Sequence, residues 1–289
     1  MNRRKLIKFV LAFAVMFSLS GWVHAQTAQA LKNSYQQLQD KLKNNQFNEP
    51  IVMNSEQASK SISGDVYSVI NYPFSTVRAA LDTPEEWCDV LFLHLNVKYC
   101  RALSNNKIEV YAGTKKPQPL SDAFHMEYNF MPVVNNANYM QTVLDAKSGP
   151  MGTSDYYMMM EAIPIQNKQT FIHVKYSYHF GTMAKLATNL YLDTVGSGKE
   201  GFTITGKKPD GKPKYVSGLR GAIERNTMRY YLAIEAYLAS LSQPPAQQEE
   251  YRLKKWFAET GKYPQLYEIT QQQYLSMKRD ELKQTPPGN

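Results

Sequence analysis

The chain is poor in the residues on which most metal and nucleophile chemistry depends. Its 289 residues hold two cysteines, Cys88 and Cys100, and five histidines. No CxxC or HxxxH spacing occurs, so a zinc site of the usual spacing is not encoded. No G-x-S-x-G elbow is present, and Cys88 lacks an adjacent basic residue that would mark it as a nucleophile. Glycine and proline number 15 each, too few for a low-complexity or collagen-like chain. No internal repeat is evident. What is present is an ordinary globular composition, 43% hydrophobic and 20% charged, which excludes wholesale disorder.

Long apolar runs are also missing, except at the start. Residues 1–8 carry Arg3, Arg4, Lys5 and Lys8, an apolar run extends from Phe9 to Leu19, and Val23-His24-Ala25 follows. A basic stretch, a short apolar stretch and small residues at −3 and −1 describe a cleaved secretory signal peptide over 1–25. The 11-residue apolar run falls short of the roughly 20 residues needed to span a bilayer. Cleavage is expected after Ala25, and Ala28-Gln29-Ala30 offers a second site of the same form. No cysteine follows at the position a lipoprotein anchor requires. The absence of any Asn-x-Ser/Thr sequon fits a bacterial periplasmic protein slightly better than a eukaryotic secreted one. Cleavage would lower the formal charge from +8 to +4, and a mildly basic exported protein is a poor candidate for nucleic acid. In an oxidising compartment Cys88 and Cys100 are expected to form a disulfide, with two buried thiols or half of a metal site as the alternatives.

Hydrophobic periodicity gives the elements. Leu31, Tyr35, Leu38 and Leu42 mark a polar amphipathic helix within 27–47, expected to pack loosely, and Pro50 to Ser55 reads as a short strand. Asp65 to Asn71 alternates as a strand. A helix with Phe74, Val77 and Leu81 on its apolar side follows, then one opened by Asp82 or Thr83 and Pro84, with Trp87, Val90, Leu91 and Leu95 inward. Val97–Leu103 and Lys107–Gly113 form a hairpin around Asn105-Asn106. Long alternating strands come next over 124–133, 139–146, 154–165 and 170–180. Their pattern implies an antiparallel sheet with one face buried and one wet, with His173, Lys175 and His179 on the wet face. A short helix is expected over 182–193. The longest helix, 219–241, carries the stripe Ile223, Thr227, Tyr230, Ile234, Leu238 and Leu241 and stops at Pro244-Pro245. Further helices over 249–283 have Trp256, Phe257, Tyr267, Tyr274 and Leu275 as docking residues.

One strand, two short helices, a run of antiparallel strands and one long closing helix is an order that resembles the helix-grip fold of the START-like (SRPBCC) superfamily. The residues that carry the resemblance are Gly64-Asp65-Val66-Tyr67-Ser68-Val69-Ile70 running into Tyr72-Pro73-Phe74-Ser75-Thr76-Val77, then Pro84-Glu85-Glu86-Trp87, and the closing helix from Arg220 to Leu241. The likeness implies an α+β fold in which a curved antiparallel sheet wraps a long C-terminal helix, with extra N- and C-terminal helices. The expected organisation is a signal peptide 1–25, a helical extension 26–59, a START-like domain 60–243 and a helical tail 244–289. It further implies a cavity for an apolar ligand such as a lipid, because a strongly curved sheet and one helix do not fill their shared interior.

The inward strand faces are rich in tyrosine and methionine, which suit an oily molecule with one polar group. The expected ligand residues are Tyr128, Met158, Met160, Tyr176, Tyr178 and Tyr230, with Arg225 and Arg229 at the mouth to bind a carboxylate or phosphate, or else paired with Glu224 or the sheet. Lys207, Lys208, Lys212 and Lys214 form a basic hairpin tip, read as a solvated turn or as a contact for anionic lipid head groups. Gly196 to Gly201 fits G-x-G-x-x-G but precedes a strand where the dinucleotide motif needs a helix, so a surface turn is expected. Asp82, Glu85, Glu86 and Asp89 read as helix N-terminal charges. No cofactor, metal or nucleic acid is expected. Three functions fit: a carrier or sensor of a hydrophobic ligand, a cyclase- or hydrolase-like enzyme using the same cavity, and an exported scaffold whose core is filled by its own side chains.

Overall fold

A computed structural model describes residues 27–166, 168–182 and 199–286. The expected signal peptide, most of the helix expected over 182–193 and the first half of the Gly196 to Gly201 motif lie outside them. Residues 27–37 (α1) and Gln39–Lys43 (α2) are helical. There follow β1 (Ile51–Gln57), β2 (Ser61–Ile70), α3 (Phe74–Ala80), α4 (Pro84–Phe92), β3 (Val97–Leu103), β4 (Lys107–Ala112), β5 (Phe124–Asn135), β6 (Met140–Ser148), β7 (Thr153–Pro164) and β8 (Thr170–Phe180). A two-stranded hairpin of β9 (Ile204–Lys207) and β10 (Pro213–Tyr215) leads into α5 (Gly218–Ser240), α6 (Pro245–Gly261) and α7 (Gln271–Glu281).

The large sheet has eight strands in the order β1-β2-β8-β7-β6-β5-β4-β3, every neighbouring pair antiparallel. The pair α3–α4 carries the chain from β2 to the far edge at β3. Six strands then meander back until β8 pairs with β2. This is the helix-grip topology, with β1 added beyond β2. Strand β1 lies in the segment read as an N-terminal extension, yet it joins the sheet in register with β2, Ile51 opposite Ser68. Irregular register at Val97/Tyr99, Pro132/Val134 and Ser154/Tyr157 bends the strands, as bulges do.

Helix starts are fixed by polar side chains. The Glu86 carboxylate accepts the N–H groups of Asp82 and Thr83, both at 2.9 Å, so α4 begins as its Thr83-Pro84 sequence implies. Cys88 of α4 is bonded to Cys100 of β3, with Cα atoms 5.3 Å apart, so the expected disulfide is present. Helix α5 crosses the concave face close above Gly64. A Cβ at that position would lie 2.4 Å from Thr227 Oγ1, so only glycine admits the helix at this distance.

Two expectations are corrected. First, the convex face is not uniformly wet. Leu31 and Leu42 of the N-terminal helices pack with Val52, Tyr139, Ile163 and Phe171 on that face, and Tyr35 lies against Phe171 with ring centroids 4.9 Å apart. His173 is therefore buried, held between the carboxylates of Asp65 and Glu161 at 2.8 Å each and stacked on Tyr67 at 4.0 Å. Second, Tyr267, expected to dock the tail, keeps 57% of its surface exposed. Trp256, Tyr274 and Leu275 are buried as expected, and Trp256 lies against the Arg229 carbonyl of α5. Beneath α7, the Glu281 carboxylate binds Lys98 at 2.8 Å and Lys278 at 2.9 Å, and Lys278 also donates to the carbonyls of His94 and Val97. The tail is thus one more layer of the core.

Candidate functional site

Strand alternation delivers one set of side chains to the concave face: Tyr128 from β5, Tyr156, Met158 and Met160 from β7, and Tyr176 and Tyr178 from β8. Helix α5 presents Ile223, Tyr230 and Ile234 to them. The ring of Tyr176 meets that of Tyr230 edge-on at 5.1 Å, and Tyr156 stacks on Tyr178 at 5.2 Å and lies 6.1 Å from Tyr176. One aromatic cluster thus joins β7, β8 and α5. Tyr156 was legible as an inward residue but was not singled out; its hydroxyl bonds Thr153 Oγ1 at 2.7 Å.

The members differ in how completely they are sealed. Met158, Met160, Ile223 and Ile234 show 2% or less of their surface, but Tyr128 keeps 7%, Tyr156 7%, Tyr176 6% and Tyr230 8%. Burial, followed by the neighbouring tyrosines, pushes Tyr128 and Tyr176 well above the ordinary phenol value. Burial likewise raises Tyr178 and Tyr230. All are neutral hydroxyls at physiological pH.

His94, just beyond α4, was not foreseen at this place. It is buried and stacks on Tyr230 with centroids 4.7 Å apart. Burial, and then the charges of Arg229, Lys278 and Lys115, hold it well below its ordinary value, so the ring is neutral. Its Nδ1 accepts the N–H of Asn96 at 3.1 Å, which places the ring proton on Nε2.

Arg225 and Arg229 are held by other parts of the chain, Arg225 by the stretch before β9 and Arg229 by the tail. Arg225 donates to the Glu200 carbonyl at 3.1 Å. Arg229, 1% exposed, donates to the Glu268 carboxylate at 2.9 Å, to the Leu266 carbonyl at 3.2 Å and to Asn226 Oδ1 at 3.3 Å. Lys115 and Lys199 reach the same carboxylate at 2.6 and 3.0 Å. Burial would raise Glu268, but the cations Lys115 and Arg229 outweigh it and hold the group down at about 2. Nearby, buried Glu224 accepts from Ser55, from Thr203 Oγ1 and from the N–H groups of Phe202 and Thr203, which fixes the loop ahead of β9 against α5.

Several clefts among the described residues lie outside this interior. One of about 480 Å³ runs between Gln46, Phe47, Lys199 and Tyr263. A second of about 120 Å³ borders the disulfide, Arg252 and Glu281. A third of about 290 Å³ lies by Glu56, Lys175 and His179 and touches the tyrosine cluster only at Tyr178. The basic hairpin stands out from the body, with Ile204 50% exposed, Lys208 paired to Glu200 and Lys212 to Asp210. Among the described residues no three His, Cys, Asp or Glu side chains are grouped to hold a metal ion, and no helix is long and apolar enough to cross a membrane.

No family profile matches the chain, and no curated protein sequence matches it. Several solved structures are similar to it. Truncated norcoclaurine synthase from Thalictrum flavum is 10% identical over 49% of this chain and 91% of its own, with a TM-score of 0.36. Ara h 8.0201 is 11% identical over 66% of this chain and 99% of its own, at 0.35. CalU16 from Micromonospora echinospora is 6% identical over 72% and 96%, at 0.31. The helix-grip assignment rests on the strand order and the crossing of α5, which the chain displays by itself.

Proposed function

We propose that this chain is an exported, periplasmic binding or carrier protein for a hydrophobic, lipid-like ligand held between the curved sheet and α5. The observation that carries the reading is the surface retained by Tyr128, Tyr156, Tyr176 and Tyr230. Burial raises the pKa of each of these hydroxyls, which accords with surroundings poor in water, and on this reading their remaining surface faces a ligand space. A space walled by phenol rings, with Met158 behind them, offers apolar contact and a few hydroxyl partners. That combination suits an oily molecule carrying a polar group. The START-like resemblance supports the same reading, and the signal-peptide pattern supports export. The exposed hairpin of Lys207, Lys208, Lys212 and Lys214 beside Ile204 supplies a surface for peripheral contact with an anionic membrane, from which such a ligand would be taken or to which it would be delivered.

Native mass spectrometry of the purified mature chain tests this. A co-purified lipid-like mass, released on denaturation, is expected. A homogeneous chain without adduct that also fails to bind a fluorescent lipid would favour the scaffold reading. N-terminal sequencing tests export: Gln26 is the expected first residue, and Met1 retained in a membrane fraction would overturn it.

A further inference from the structure

Four groups converge beside Tyr230 in a way that packing of the tail alone does not require. Lys115 comes from the β4–β5 connection, Lys199 from the stretch after β8, and Arg229 from α5. All three reach one carboxylate oxygen pair, that of Glu268, at 2.6, 3.0 and 2.9 Å. In an antiparallel meander the β4–β5 and β6–β7 connections and the segment after β8 share one end of the sheet. Lys115 therefore stands at that end of the sheet, and Lys199 and Arg229 meet it there through the shared carboxylate. Glu268 is supplied from outside that ring. It sits in residues 267–270, which are neither helix nor strand, next to exposed Tyr267.

A second observation lies on the tyrosine side of the same cluster. His94 Nε2 carries the ring proton and is buried, with the Asn226 side chain as its imperfect polar neighbour. Asn226 in turn accepts from Arg229. A buried donor with an imperfect partner is stabilised by an acceptor that reaches it.

We infer that the ligand is an amphiphile with a carboxylate or phosphate head group, and that Glu268 holds the head group's place among Lys115, Lys199 and Arg229 until the ligand displaces it. This rests on the carrier reading above. The apolar part lies among the tyrosines, the anionic head meets the cations, and the tail carboxylate swings outward with residues 267–270. The tail is then a tethered competitor that lowers affinity and is released on loading.

The test uses the full mature chain and two fluorescent probes, cis-parinaric acid and its methyl ester, and reads the ratio of their dissociation constants. In the parent the acid binds more tightly than the ester. Glu268→Gln is expected to raise that preference about tenfold, the worth of one charge-assisted hydrogen bond, and Lys115→Gln to lower it by a similar factor. An unchanged ratio in both variants overturns the inference while leaving the carrier reading intact. If neither probe binds any variant, the carrier reading itself falls. Should Glu268→Gln fail to fold, Lys115→Gln decides alone, and an unchanged ratio there overturns the inference. Inorganic phosphate that raises the melting temperature as much as the acid does would make this a site for a free anion and overturn the amphiphile.

Discussion

The indole N–H of Trp256 donates to the main-chain carbonyl of Arg229 at 3.0 Å, and that bond ties the tail to the helix that closes the sheet. Trp256 is fully buried and stacks on Tyr274 at 5.0 Å, so α6 and α7 complete the core of the domain they follow. Trp256→Ala is expected to destabilise the whole chain by about 3–5 kcal/mol, the usual cost of emptying a buried aromatic site. Urea unfolding should show one transition at a lower midpoint. A separate early transition with the main midpoint unmoved would mean that the tail folds independently.

Gly64 sets how closely α5 approaches β2. Alanine there would press on Thr227 Oγ1, which already donates to the Ile223 carbonyl at 2.8 Å. Gly64→Ala should cost about 1–3 kcal/mol through overpacking. The double variant Gly64→Ala/Thr227→Ala should lose less than the sum of the two single changes, because the second removes the obstacle. Additive losses in thermal unfolding would show that the contact does not decide the spacing.

The convex-face cluster makes stability depend on pH with a definite sign. Burial would lower His173, but hydrogen bonds to Asp65 and Glu161 and their charges raise it above its ordinary value. Asp65 moves the other way: burial opposes its charge, yet His173 and then Lys175 hold it below the ordinary carboxylate range. The groups facing the imidazole are Asp65 and Lys175 on β2 and β8, Glu161 on β7 with Tyr139 donating to it at 2.7 Å, and Tyr67 stacked above. The His173 contribution is fully present below about pH 6.5 and disappears as pH rises through the raised value; that of Asp65 is present above about pH 4 and is lost below it. The stability difference between the parent and His173→Gln should therefore be larger at pH 6 than at pH 9. Equal differences in urea midpoint would refute the charged state.

How far the chain could be read in advance depended on whether the information was local. The pattern Tyr128, Met158, Met160, Tyr176 and Tyr230 was visible because alternation and the helical repeat are properties of neighbouring residues. The same alternation put His173 on the outward face correctly and mistook that face for a wet one. A period tells which side a residue faces, not what lies on that side, and here Leu31, Tyr35 and Leu42 lie more than a hundred residues away. Helix α5 shows the same limit: its stripe was legible, but Tyr231 off that stripe reaches Ser68 of β2 at 3.0 Å, and Trp256 of the tail meets the Arg229 carbonyl, neither of which a spacing announces. The cluster at Glu268 was illegible for the same reason, since Lys115, Lys199 and Arg229 come from three separate stretches and share no spacing with it.

Tyr176 separates a ligand-lined interior from a merely packed one. Its ring touches Tyr156, Tyr178 and Tyr230, with centroids 6.1, 6.0 and 5.1 Å away, and it keeps 6% of its surface. If that surface faces bound ligand, Tyr176→Ala enlarges a space that already exists. The protein then loses lipid affinity by more than it loses stability. If the ring is only core, the same change opens a new void and costs about 3–5 kcal/mol, and the parent binds no lipid. Tyr176→Phe refines the reading, because it keeps the ring and removes the hydroxyl beside Tyr230. That variant should retain the melting temperature to within a few degrees while weakening a ligand that uses the hydroxyl pair. Melting temperature and fluorescent-lipid affinity measured side by side on the three proteins decide it. A large stability loss in Tyr176→Ala, with no lipid bound by the parent, would leave the filled-core scaffold as the surviving account.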